Sequence, residues 1–221
     1  MDTPLPPKLG DALGYLAAQA ETLPGRYLIT GAQAAYLYHR WLLPIARVVN
    51  FRVPEGDVAR WQAALTAPWV VFIQTPSLTD IRPATRVAIL EPHLSDALYR
   101  RRVIRNGLSF ISPEDMCVQL LATAATQIAL AELAALLIAQ RDTLDWAYLL
   151  KETGSSQPGQ RLAEIMWAIN HEAGRPLLRQ ELIGPKIAPL SSTLLRPDTL
   201  ADILRPLRAR WTLADAQPAG D

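Results

Sequence analysis

Between Tyr27 and Pro54 the chain reads YLITGAQAAYLYHRWLLPIARVVNFRVP, and no other stretch constrains the fold as strongly. RYLIT is a short apolar run that reads as a strand, and Gly31 follows it at a turn. AQAAYLYHRWL has helical composition, and Pro44 bars its continuation because proline lacks the N–H a helix interior needs. RVVNFRV then alternates with β-branched residues, as a half-buried strand does. A strand, a tight turn, a helix and a second strand place a small sheet with helical connections at the front of the chain.

The flanking segments extend that sheet. LGDALGYLAAQAETL reads as a helix ending before Pro24-Gly25, and EGDVARWQAAL as another. WVVFIQT and TRVAIL have strand character, and RRRVIRNGLSFI suggests strands folded as a hairpin through Asn106-Gly107. At Ser112 the character changes. SPED supplies a cap residue, a proline at the first helical position and two acids at the positive helix end. Helices are expected over 113–124, 127–140, 144–152, 158–173 and 198–210, with prolines 176, 185, 189 and 197 breaking the link before the last one. The reading is an α+β chain: a mixed sheet with flanking helices over 1–111, followed by a helical region over 112–221.

Composition narrows the class. Hydrophobic residues make up 50% of the chain and charged ones 19%, which suits a packed core. A net charge of +1 gives no global attraction to nucleic acid, so such binding needs a local patch. The single cysteine, Cys117, excludes an intramolecular disulfide and sits in the apolar run MCVQLLA as a small buried hydrophobe. The opening MDTPLPPKLGDALG shows no export signal, and a cytoplasmic location is expected. LLATAATQIALAELAALLIAQ has membrane-spanning length, but Glu132, two glutamines and the threonines interrupt it, and it lacks basic flanks. One or two buried helices of a soluble protein are expected there.

The strand, TGA, helix and VVNFRV strand resemble the opening of the nucleotidyltransferase fold. ISPEDMCVQLLA and LAELAALLIAQRDTLDWAYLLKETG resemble the helical part of nucleotidyltransferase-like proteins of bacterial toxin–antitoxin and abortive-infection loci. The similarity covers roughly residues 26–170. It implies a nucleotidyltransferase-like mixed sheet. Working members carry two acids separated by one residue on the second strand. Such residues point to one face and reach the same magnesium ions. Here those positions hold Asn50, a poor neutral ligand, and Arg52, whose fixed charge repels a metal. A third acid is expected on a later strand; TRVAIL contains none, and Asp80 and Glu91 are read as lying outside it. The missing acids make the chain similar to the AbiEi antitoxins and regulators rather than to the active AbiEii-like transferases. AbiEi proteins usually begin with a DNA-binding winged helix, whereas about one helix precedes Tyr27, so promoter repression is not carried over.

Other features have simpler readings beside functional ones. YRRRVIRNG places Arg100, Arg101, Arg102 and Arg105 close together, a candidate clamp for the phosphates of a nucleic acid or nucleotide. On a hairpin strand Arg100 and Arg102 would act alike and Arg101 would differ. The simpler reading is a solvated hairpin face paired with Glu91 and Asp96. RPLRARW, with Arg205, Arg208 and Arg210, suits the negative end of a helix. His39, His93 and His171 have no ligand spacing, no serine lies in a G-x-S-x-G setting, and Gly31 lacks the rest of a P-loop; no metal or cofactor is expected. In RDTLDWAYLLKETG, Thr143 is expected to cap a helix with Asp145 in its first turn and Trp146, Leu149 and Leu150 on the buried side. Trp41, Trp61, Trp69, Trp167 and Trp211 read as core or interface residues.

The sequence therefore suggests a non-enzymatic antitoxin or regulator on a catalytically degenerate fold, with nucleic acid or a protein as candidate partner and no membrane. The alternatives are an active nucleotidyltransferase with an atypical site and a structural subunit of a larger complex.

Overall fold

The computed structural model describes residues 11–45, 47–73, 86–123, 127–154, 157–182 and 201–208. It divides into two compact units, Met1–Ser112 and Pro113–Asp221. The first is α+β. Its elements are α1 (Asp11–Ala18), β1 (Leu28–Thr30), α2 (Gly31–His39), β2 (Val48–Arg52), α3 (Val58–Ala64), β3 (Trp69–Phe72), β4 (Arg86–Glu91), α4 (Asp96–Arg100), β5 (Val103–Arg105) and β6 (Leu108–Phe110). The strands form one mixed sheet in the order β3-β4-β2-β1-β6-β5. β1 runs antiparallel to β2 and parallel to β6, β4 is parallel to both β2 and β3, and β5 and β6 are antiparallel.

Alternation along β2 explains its two faces. Val49 and Phe51 are fully buried, while Val48, Asn50 and Arg52 on the opposite face are half-buried. On the buried side Phe51, Tyr27 and the α3 residue Trp61 form an aromatic cluster with ring centroids 5.1–6.1 Å apart. Trp61 is fully buried, which accounts for the placement of α3. Tyr27 sits at the edge of the cluster, where its hydroxyl accepts from the Ser109 N–H at 3.4 Å, and burial pushes its pKa up to about 12.

The α2–β2 connection is tied down by side chains. Arg40 ends α2 in the left-handed conformation at φ 58°. The buried His39 Nδ1 accepts from the Trp41 N–H at 2.9 Å, and Gln33 Nε2 donates to the carbonyls of Ile45 and Val48 at 3.0 and 3.2 Å. The expected hairpin is present: Asn106 and Gly107 both have positive φ, 47° and 71°, between paired β5 and β6. The strand expected as WVVFIQT ends at Phe72; Ile73 follows in a bend, and Gln74, Thr75 and Asp80 lie outside the described residues.

The second unit is helical where described: α5 (Pro113–Thr123), α6 (Gln127–Ala139), α7 (Trp146–Thr153), α8 (Gln157–Ala173) and a helix over 201–208. No helix among the described residues is long and apolar enough to cross a membrane. The long apolar stretch is divided between α5 and α6, and α6 is buried on several sides, as a helix apolar all round must be. Glu132 on α6 has its pKa raised to about 7 by burial.

Two polar contacts join α5 to the α7 region. Glu114 Oε1 accepts from the Asp145 N–H at 3.0 Å, and Asp115 Oδ1 from the Tyr148 hydroxyl at 2.7 Å. Asp145, not Thr143, caps α7: its carboxylate accepts from the Tyr148 N–H at 3.0 Å. The Thr143 hydroxyl donates instead to the Gln140 carbonyl and side chain. Trp146 and Leu149 are buried as expected, while Leu150 is half-buried.

Candidate functional site

Register builds the site. β1 places Thr30 opposite Asn50 and Leu28 opposite Arg52, while β4 places Ile89 opposite Asn50 and Glu91 opposite Arg52. Aligned residues of paired strands share a face, so Thr30, Asn50, Arg52 and Glu91 lie together on one side of the sheet. Glu91, expected to lie beyond its strand, is the last residue of β4. Its carboxylate is occupied from both sides. Asn50 Nδ2 donates to Oε1 at 3.1 Å, and Arg52 Nη2 donates to Oε2 at 3.2 Å. The Arg52 and Glu91 side chains are 22% and 27% exposed, so the ion pair is only partly screened by water.

Gly31 closes the site from above as the first residue of α2. Its φ is +66°, and a Cβ added there would lie 3.2 Å from both Cγ and Oδ1 of Asn50. Glycine is thus required twice, for the backbone conformation and for the approach of Asn50. Thr30, the residue before α2, is fully buried, and its hydroxyl makes no hydrogen bond in the described structure.

Chemically, this face holds one carboxylate, one guanidinium and one amide, a neutral sum. A divalent cation needs several oxygens and gains from negative charge. Asn50 could offer one neutral oxygen, Arg52 none, and Glu91 is already neutralised, so these residues do not fit the two-metal arrangement of the active transferases. Among the described residues no group of three or more His, Cys, Asp or Glu is placed to hold a metal ion.

The second candidate, the arginine cluster, is arranged differently from expectation. Arg100 closes α4 and Arg101 is its C-terminal cap residue; only Arg105 stands on a strand, β5. Strand alternation therefore does not relate Arg100, Arg101 and Arg102. Local chemistry explains the helix: the Ser95 hydroxyl accepts from the Leu98 N–H at 3.2 Å, with Asp96 in the first turn. Arg102 donates to the Tyr99 carbonyl at 3.1 Å and lies over the Tyr99 ring at 4.2 Å. Arg105 donates to the Ile104 carbonyl at 3.1 Å.

Neither acid expected to neutralise the cluster is bonded to it in that way. Glu91 is bonded to Arg52, and Asp96 to Arg26 at 2.5 Å. Arg26 holds the Asp96 carboxyl below the usual carboxylate range by hydrogen bond and charge, with a smaller contribution from Arg100. Arg26 also lies 5.4 Å from the Tyr99 ring, so the fold adds a fifth arginine from a distant part of the sequence.

In the second unit Arg205 pairs with Asp202 at 3.2 Å, and Arg210 lies outside the described residues. Trp61 and Trp69 are core residues, whereas Trp167 is 43% exposed and stacks on His171. Trp211 lies outside the described residues. Comparison of the chain with protein-family models, curated proteins and solved structures gives no match.

Proposed function

We propose that this chain is a non-enzymatic antitoxin or regulator of the AbiEi kind, built on a catalytically degenerate nucleotidyltransferase-like fold and acting through nucleic-acid or protein contacts. The observation that carries the reading is the closed triad of Asn50, Arg52 and Glu91, in which both carboxylate oxygens are held by neighbouring side chains at 3.1 and 3.2 Å. In an active transferase this face would gather carboxylates around magnesium. Here a guanidinium takes up the charge of Glu91. The strand–Gly31–helix–strand order of the resembling family supports the same reading, and Arg26 and Arg100, both exposed, give it basic surface for contacts.

Label transfer is the direct test. The full chain is incubated with each α-labelled ribonucleoside triphosphate, magnesium or manganese, and either total RNA or candidate proteins. No transferred label is expected. Transfer abolished by Glu91→Gln would establish an active transferase and overturn the proposal.

A further inference from the structure

Among the described residues the sheet ends in β5, which pairs with β6 on one side only. Arg105 stands opposite Leu108 across the Asn106-Gly107 turn, Ile104 opposite Ser109 and Val103 opposite Phe110. With both turn residues at positive φ, the Arg105–Leu108 pair exchanges both of its main-chain hydrogen bonds, as in two-residue hairpins. Alternation then turns the N–H and C=O of Ile104 outward, away from β6. The outward carbonyl is covered by a side chain, Arg105 Nη1 at 3.1 Å. The Ile104 side chain is 46% exposed. An exposed β-branched residue, an outward donor and acceptor, and a basic surround meet at one place.

We propose that the β5 edge accepts an extended acidic segment of a partner protein as an added antiparallel strand, centred on Ile104. The direction follows from there being one outward-facing strand residue, because only in an antiparallel pair does a single residue exchange both hydrogen bonds with its opposite. The chemistry follows from charge. Arg26, Arg100, Arg102 and Arg105 lie close to one another in the fold, and the acid Asp96 beside them is bonded to Arg26. A second copy pairing through β5 about Ile104 would set Arg105 opposite Val103 of the other chain and bring two basic surrounds together, which like charges disfavour. A nucleic acid would use the guanidinium groups but has no use for the Ile104 side chain. The Tyr99 ring already carries Arg26 and Arg102, at 5.4 and 4.2 Å, and is not presented to a base. The edge lies away from Asn50, so this inference does not depend on the reading of that face.

The probe is a capped peptide, Thr-Glu-Val-Thr-Glu-Thr, titrated into the full ¹⁵N-labelled chain. Saturable binding with a large shift of the Ile104 amide is expected, together with slower exchange of that amide. The same peptide N-methylated at valine loses one main-chain hydrogen bond and should bind about five- to tenfold more weakly. A peptide with lysine in place of both glutamates should not bind. Arg105→Ala, which leaves the main chain intact, should weaken the acidic peptide. Absence of binding, equal binding of the methylated peptide, or tighter binding of single-stranded DNA at the same residues would each overturn the proposal.

Discussion

Arg52 and Glu91 face each other in register across β2 and β4 and form an ion pair of 3.2 Å, with Asn50 holding the other carboxylate oxygen. The pair is partly buried, so removing one partner leaves the other half-desolvated. In a double-mutant cycle with Arg52→Met and Glu91→Gln, a favourable coupling of about 1 kcal/mol is expected. Chemical denaturation of the four proteins measures it, and strict additivity would show that the two side chains do not support each other.

Gly31→Ala tests the closing of the same face. The left-handed conformation costs a non-glycine residue roughly 1–2 kcal/mol, and the new Cβ would meet Asn50 at 3.2 Å. Gly31→Ala should lower stability by at least that amount. Adding Asn50→Ala should recover only the steric part, since φ remains +66°. Full recovery in the thermal midpoint would contradict the backbone argument.

How much of this could be read from sequence depended on whether the determining interaction was local. Helix α5 announces itself through Ser-Pro-Glu-Asp, α6 through a long apolar run without strand breakers, and the β5–β6 hairpin through Asn106-Gly107. The α4 helix is hidden because Arg100, Arg101 and Arg102 run straight into the β-branched pair Val103-Ile104 and read as part of that strand, although HLSDALYR carries its cap in Ser95 and Asp96. Thr143 and Asp145 are both competent caps; in the fold the Thr143 hydroxyl is taken up by Gln140, while Asp145 caps α7 and its N–H is held by Glu114. The Glu91 bonds could not be read locally at all. They depend on the parallel pairing of two strands about forty residues apart, and register of that kind is set by long-range packing.

A second glycine makes a contrast within one protein. A Cβ on Gly159 in α8 would lie 2.1 Å from the Gly154 carbonyl oxygen, a backbone atom. Gly159→Ala should cost about 3 kcal/mol or more, because the helix start must move. Gly14, exposed within α1 with nothing within 4 Å of its added Cβ, is the control. Gly14→Ala should stabilise by about 0.5–1 kcal/mol. Melting curves of the two variants should shift in opposite directions.

His39 gives a pH dependence with a defined sign. Burial lowers its pKa from 6.5 to about 4 in the folded chain, so the neutral form is favoured on folding. The unfolded state binds the proton first. The contribution is therefore intact above pH 6.5, declines as pH falls through the window and is lost near pH 4, for a total on the order of 3 kcal/mol. His39→Asn keeps an acceptor for the Trp41 N–H without titrating. Denaturation across this range should show a shallower pH slope for the variant, and an unchanged slope would assign the effect elsewhere.

The degenerate-site reading stands or falls most directly on magnesium-dependent nucleotide binding. Calorimetry of the full chain with ATP and GTP, each with and without magnesium, is expected to show no magnesium-dependent heat. The Asn50→Asp, Arg52→Asp double variant, which would present two carboxylates beside Glu91 on one face, is expected to gain magnesium affinity. Micromolar binding of a triphosphate by the parent chain that requires magnesium and disappears in Glu91→Gln would contradict the reading.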